Sequence, residues 1–432
     1  MAQHDHTQFL ELLHRFLPAA ALTALAKTHG WFQRQREFEP VMMVWTLILD
    51  FSGGAQRSLA ALHRAYQRHS GSDASYAAFY QRLDQSLLDT MQSVFKTLLR
   101  PSSTTLGAFE DILALDATLV RLWDALAPKF ASTAQGQAAA KLHVVMSVAS
   151  LTPQRVKLRQ GREHDTCAWR TMGDWVKNRL LLMDLGYYNF WLFHRIHAHQ
   201  GYFLSRLKTN CALFISKDLR TGPGRRAQVQ GQKLCEVLKR LKSKHFEFEI
   251  EVPVELRSGR VITYRWRALG ELNEETGKYH VYLTNAPATM IEVEDARQLY
   301  ALRWQVELLF RALKECGRLH QLPSRKAVIV KLLIFGALCW ACLAGWLRDA
   351  LIPQDERFKV GVLRTARLLR EWGDELLGAL ASELESFQPR QTLELFERQL
   401  RDPNEMRVRS LAIPALVDFH QGFYSPLLLQ KG

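Results

Sequence analysis

Cysteine is sparse: six residues in 432, at positions 167, 211, 235, 316, 339 and 342, with no paired framework of close spacings. That excludes a small disulfide-stapled secreted scaffold and fits thiols kept reduced in a cytoplasm. Cys339 and Cys342 have C-x2-C spacing but no second pair, and they sit in a helical apolar run, so they read as core and not as zinc ligands. The opening MAQHDHTQFLELLHRF is polar and charged and lacks the apolar centre of a secretory leader. Long hydrophobic runs are missing as well. Leu332 to Leu347, between Lys331 and Arg348, is 16 residues, short for a membrane span and suited to a buried helix. No internal repeat or low-complexity tract interrupts a chain long enough for two or three domains, and 47% hydrophobic residues supply a sizeable core.

Negative charge is the scarce sign. Against 57 Lys and Arg stand 43 Asp and Glu, a formal net charge of +14. The excess is concentrated: residues 106–325 hold 33 basic and 22 acidic residues, while residues 1–105 hold 10 and 8, and residues 326–432 hold 14 and 13. A basic middle segment between near-neutral flanks is the footprint of a region that faces a polyanion.

The few acids inside apolar surroundings therefore stand out. DILALDATLVRL (111–122) has strand character, apolar and without helical period, and places Asp116 at its centre. A buried acid is costly unless compensated, and a divalent cation is a common solution. KLHVVMSVAS (141–150) and RVKLRQG (155–161) give two further strands in a meander, and Asp165 opens an expected helix, TCAWRTMGDWV. LLLMDLGYYNF (180–190) is a buried strand that ends at Asp184 before Gly186 forces a turn; strand ends in α/β sheets form ligand crevices. A helix from Tyr188 to His199 and a fifth strand, YFLSRLKTN (202–210), follow. The order strand–strand–strand–helix–strand–helix–strand is the ribonuclease H-like pattern. Asp124, past its strand, and Asp165, a candidate helix cap, compete for the two acidic positions.

The stretch ARQLYALRWQVELLFRALKEC (296–316) contains no Gly or Pro and predicts one continuous helix. At about 100° per residue, Tyr300, Arg303, Glu307 and Lys314 fall within roughly 60° of one another, in a column about 20 Å long beside a separate apolar stripe. An ordinary solvated helix with an Arg303–Glu307 ion pair is the plain alternative. The spacing Tyr-x2-Arg-x3-Glu-x6-Lys, together with DAT at Asp116 and DLGYY at Asp184, resembles the three motifs of DDE-class insertion-sequence transposases with the Y-R-E-K signature, the insertion sequence four family. The resemblance covers roughly 110–316.

That resemblance implies an α/β fold, a ribonuclease H-like catalytic core with a β-rich insertion, flanked by helical regions. The expected divisions are a helical segment 1–105, suited to binding DNA ends or to capping the core; a catalytic domain 106–325 with the insertion at about 211–285; and a helical region 326–432, a candidate dimer contact. Residues 1–105 predict short helices, among them one from Ser75 to Arg100 with Ser72 or Asp73 as its cap. In the insertion, HFEFEIEVPVEL, VITYRWRALGEL and KYHVYLTN alternate as strands, with turns at Ser258-Gly259 and in ELNEETGK. A loop with Gly222, Gly224, Arg225 and Arg226 lies in a stretch rich in basic residues and suits phosphate contacts.

The activity implied is transposition of DNA: cleavage at transposon ends, then joining of the freed 3′-OH to target DNA. Asp116, Asp184 and Glu307 would hold two Mg²⁺ ions, or Mn²⁺, in a phosphoryl-transfer site. Tyr300, Arg303 and Lys314 would grip phosphates, and Trp266 or Trp304 would stack a displaced base or serve the core. The partners implied are double-stranded DNA, as terminal inverted repeats and target, and a second copy of the chain in a paired-end complex. No membrane partner is implied, and a bacterial cytoplasm with its nucleoid is the expected location. A ribonuclease H-like nuclease or resolvase would share the acids without needing the Tyr-Arg-Lys column, and a DNA-binding derivative that had lost chemistry would not need the acids.

Overall fold

A computed structural model of the chain describes residues 8–32, 38–53, 58–99, 106–208, 212–220, 228–256, 258–353, 356, 359–381 and 396–401. Six helices come first: α1 (Gln8–Phe16), α2 (Ala19–Thr28), α3 (Pro40–Gly53), α4 (Leu59–Ser70), α5 (Tyr76–Arg82) and α6 (Gln85–Leu98). The expected single helix from Ser75 to Arg100 is divided. Asp84 leaves helical backbone, and its side chain accepts from the Leu87 N–H to start α6. The cap before it is Ser75, whose side chain accepts from the Ala78 N–H, and not Ser72 or Asp73.

The middle of the chain folds as β1 (Ile112–Leu122), β2 (Ala138–Ser147), β3 (Pro153–Gln160), β4 (Leu180–Met183), α7 (Phe190–Ala198) and β5 (Tyr202–Arg206). β6 (Phe214–Asp218), α8 (Leu234–Arg240), β7 (His245–Glu255), β8 (Val261–Asn273) and β9 (Lys278–Thr284) follow. β1, β2 and β3 pair antiparallel, and β4 and β5 run parallel to β1. The resulting order β3-β2-β1-β4-β5 is the ribonuclease H-like arrangement expected from the sequence. The insertion does not stand apart. β9 pairs antiparallel with β5, so the sheet continues as β9-β8-β7-β6 to nine strands. The expected helix after Asp165 is absent. Two short 3-10 turns, Asp165–Cys167 and Asp174–Val176, sit in irregular backbone there, because Gly173 is extended and Trp169 and Val176 are drawn into the core.

After the sheet come α9 (Ala296–Ala301), α10 (Trp304–Glu315), α11 (Ala327–Leu351), α12 (Val362–Glu371) and α13 (Gly373–Ala381). α10 lies on one face of the sheet, against β1 and β2, in an apolar core that also takes in α3, α6 and α11. The other face is covered by α7, the 165–176 turns and α8. α11 is apolar and long enough to cross a membrane, but most of it is buried in the protein, packed on α6, α3 and β3. Cys339 and Cys342 are fully buried within it, as expected of core residues. Arg225, Arg226, Gly222, Gly224, Cys211 and the prolines at 389, 403, 414 and 426 lie outside the described residues.

Candidate active site

β1 pairs with β2 along almost its whole length, whereas its partnership with β4 ends at Leu115↔Met183. One residue later on each strand stand Asp116 and Asp184. Two acids therefore flank the point where parallel neighbours separate, the position at which α/β sheets open a crevice. The Ala117 N–H donates to Asp116 Oδ1 at 2.7 Å. Asp184 is extended and begins a 3-10 turn, with the Tyr187 N–H donating to its carbonyl oxygen at 2.9 Å.

The third acid arrives on α10. The expected continuous helix from 296 to 316 is broken at Leu302–Arg303. The bonds Leu302 N–H to Leu299 O, Arg303 N–H to Tyr300 O and Gln305 N–H to Leu302 O span three residues each, a 3-10 tightening between two α segments. This joint turns Tyr300 and Arg303 inward. The Tyr300 hydroxyl donates to Asp184 Oδ1 at 3.3 Å. Arg303 donates through Nη1 to Asp116 Oδ2 at 2.9 Å and through Nη2 to Glu307 Oε1 at 2.6 Å. The i, i+4 pair of an ordinary helix is thus present, but its arginine also holds an acid from the sheet.

The electrostatics follow from crowding. Burial, with repulsion from Glu307 and Asp184, pushes the Asp116 carboxyl up to about 6 against the opposing pull of the Ala117 amide and Arg303. Burial also works against the Arg303 charge, yet the Glu307 hydrogen bond and the nearby Asp116 and Asp184 outweigh it and raise the pKa above the ordinary arginine value. Burial and Asp184 raise the Tyr300 phenol, so it stays a proton donor. Carboxylate oxygens are the donors a hard divalent ion prefers. Among the described residues no three carboxylate side chains stand close enough to hold an ion as they are, and the Arg303 guanidinium lies between Asp116 and Glu307.

The other sequence candidates fall as follows. Lys314 is half-buried near the end of α10 and forms no ion pair among the described residues. Trp304 is 53% exposed beside Arg303, whereas Trp266 is 3% exposed and stacks on Tyr264 in the core. Asp124 is committed to Arg121 at 2.8 Å. Asp165 pairs with Lys141 at 3.0 Å and packs under the Asp184 turn, where a Cβ on Gly186 would stand 2.9 Å from its Oδ2. A side chain at position 186 would push the Asp165 carboxylate aside and disturb its pair with Lys141. Beside it lies a support that sequence reasoning missed: Tyr187 shares a 2.9 Å hydrogen bond with Nδ1 of fully buried His143, whose pKa burial lowers to about 4. The Gly-Tyr pair after Asp184 was the available signal.

A family model described as the transposase DDE domain matches residues 107–342, which contain all three acids. The chain belongs to this family. It is a DDE-type insertion-sequence transposase, a DNA-binding enzyme that cleaves and transfers DNA strands, and its family depends on divalent metal ions. The transposase for insertion sequence element IS231B of Bacillus thuringiensis subsp. berliner is 24% identical over 78% of this chain and 78% of its own. The IS231E transposase of B. thuringiensis subsp. finitimus is 23% identical over 76% and 77%, and the IS1151 transposase of Clostridium perfringens 20% over 65% and 68%. Among solved structures, a piggyBac transposase synaptic complex with hairpin DNA aligns over 90% of this chain and 84% of its own, at 10% identity and a TM-score of 0.43.

Proposed function

We propose that Asp116, Asp184 and Glu307 are the catalytic, metal-binding acids of this transposase, and that it belongs with the Y-R-E-K group of the insertion sequence four family. The observation that carries this reading is the single guanidinium of Arg303 held by acids from β1 and α10, with the third acid adjoining through Tyr300. The carboxylate set suits Mg²⁺, with Mn²⁺ as a substitute. Two such ions would activate the attacking oxygen and stabilise the leaving one.

The chain's own residues do the rest. Without DNA, Arg303 is the counter-ion that keeps mutually repelling carboxylates together. As a transposon end enters, its phosphates offer Arg303 and Lys314 a competing partner, and the acids are released to ligate ions. Tyr300 keeps its proton, orients Asp184 and contacts the same phosphates. No covalent protein–DNA bond is needed: a 3′-OH freed at the end attacks target DNA in the same crevice.

The N-terminal helices bind the terminal inverted repeats, and the near-neutral segment after 326 contributes to a homodimer that pairs two ends. The setting is the nucleoid of a bacterial cytoplasm. The test is incubation of Asp116→Asn, Asp184→Asn and Glu307→Gln variants with Mg²⁺ and duplexes carrying the element's terminal repeats. Each variant should bind the duplex but generate no 3′-OH end. Cleavage by the Asp184 variant would move that role to Asp165.

A further inference from the structure

A second basic feature lies on the opposite face of the sheet. β3 is an outer strand of the sheet. Its apolar Val156 and Leu158 pack toward the core shared with α10, so Arg155, Lys157 and Arg159 alternate onto the other face. These cations repeat every roughly 6.6 Å, comparable to the step between phosphates of an extended strand. They feel one another: burial and the neighbouring arginines depress the Lys157 pKa, and burial and Arg179 depress that of Arg155. Among the described residues none of the three has a carboxylate partner. The Arg155 guanidinium lies 4.8 Å from the Trp175 ring, and the Lys157 ammonium lies 4.7 Å from the Trp169 ring while donating to the Ala168 carbonyl oxygen at 2.8 Å.

Beneath them opens a cavity of about 550 Å³ lined in part by Asp111, Arg155, Lys157, Trp169, Trp175 and Arg179. That volume lies within the range of small-ligand sites. Asp111 is 4% exposed; its carboxyl is held by Ser147 and by the backbone at Ile112 and Ala149, but Oδ1 has no hydrogen-bond partner among the described residues. Such a buried acceptor is costly unless a ligand supplies an N–H. Edge-strand cations alone could be explained as guards against strand pairing. They do not explain indoles beneath the cations, the crowding of Arg155 against Arg179, whose nearest carboxylate is Glu110 at 3.9 Å, or a carboxyl oxygen without a partner in the cavity wall.

We infer that this cleft binds an unpaired nucleotide of a DNA strand, with phosphates on Arg155, Lys157 and Arg159, the base against Trp175, and a base N–H on Asp111. It is separate from the acid crevice yet near it. Arg155 and Lys157 are level in register with Leu115 and Ala117, which flank Asp116, two strands and about 10 Å away. The strand is either flank beyond the transposon end or target DNA. That identity rests on the transposase reading; the binding chemistry does not.

The test uses the full chain without metal and a 5′-fluorescein-labelled (dT)20 strand, titrated by anisotropy at several KCl concentrations. Arg155→Ala and Arg159→Ala should each flatten the dependence of log K on log salt by roughly 0.7. Trp175→Ala should weaken binding about 5- to 100-fold, as expected for a lost stacking platform. Asp111→Asn should change the ranking among (dA)20, (dC)20 and (dT)20. In Mg²⁺, all four variants should still nick a duplex terminal repeat. Wild-type affinity and salt slope in the Arg155, Arg159 and Trp175 variants, with far-ultraviolet dichroism unchanged, would overturn the proposal. Two supporting arms separate the sources: reduced processing of an end with a single-stranded flank assigns flank, and reduced joining of a precut end to plasmid assigns target. Absence of cleavage by the wild-type protein would sink the catalytic reading while leaving the anisotropy result standing.

Discussion

Replacing Arg303 by alanine should strengthen divalent-ion binding in the absence of DNA. In the free protein an ion entering between Asp116 and Glu307 must first displace a guanidinium that makes one charge-assisted hydrogen bond to each, at 2.9 and 2.6 Å. Such bonds contribute roughly 1.5–3 kcal/mol each when well shielded. The Arg303 side chain is 13% exposed, but the Glu307 side chain is 31% exposed, which weakens the second bond. A combined barrier of about 2–3 kcal/mol corresponds to a roughly 30- to 150-fold weaker ion affinity in the wild type. The measurement is Mn²⁺ binding by electron paramagnetic resonance at pH 8, where Asp116 is ionised despite its raised pKa and proton competition is removed. The Arg303→Ala protein should bind more tightly by that factor, and Asp116→Asn in the same background should abolish the gain. Equal affinity in wild type and Arg303→Ala would refute the counter-ion role.

Other outcomes follow from the same geometry. With the Asp116 carboxyl pushed up to about 6, wild-type Mn²⁺ affinity should hold steady above that pH and fall about tenfold per unit below it; a pH-independent affinity from 7 to 5 would contradict this. Asp111 is raised by burial from 3.8 to about 6, so the stability it contributes is complete below the unfolded value and lost as pH rises through the folded one. Asp111→Asn should therefore raise stability at pH 8 by up to about 3 kcal/mol and change it little at pH 4, and parallel denaturation curves at the two pH values would be the contrary result. Trp266→Ala should cost about 3–5 kcal/mol of stability as a buried aromatic, whereas Trp304→Ala, exposed beside Arg303, should leave the urea midpoint nearly unchanged and weaken binding to a hairpin-ended duplex.

Much of the candidate site was legible because acids in apolar strands are rare enough to be noticed. Asp116 and Asp184 could be picked out by burial cost and by the Gly turn, and their strands lie where the pattern put them. The joint at Leu302–Arg303 could not be read, since residues 296–316 contain good helix formers throughout; tertiary pull on Tyr300 and Arg303 tightens four bonds that propensity leaves α-helical. The insertion was legible as strands but not as part of the main sheet, because pairing partners are not encoded in alternation. The Asp165 segment looked helical from its composition, yet packing of Trp169 and Val176 overrides that tendency. The Asp165–Lys141 and His143–Tyr187 pairs join residues 24 and 44 positions apart and carry no local signature.

The burial of α11 has a consequence for how this protein is made. Cys339 contacts Met91, and Trp346 donates its indole N–H to Leu98 O, each across 248 residues. The first helices emerge from the ribosome long before the segment that covers them, so the main core closes only when synthesis has passed about four-fifths of the chain. A product cut short after Ser324 would expose the apolar faces of α3 and α6 and be cleared as misfolded chain. An early stop codon or frameshift in such a gene should therefore yield no lingering fragment able to occupy transposon ends and block the intact enzyme.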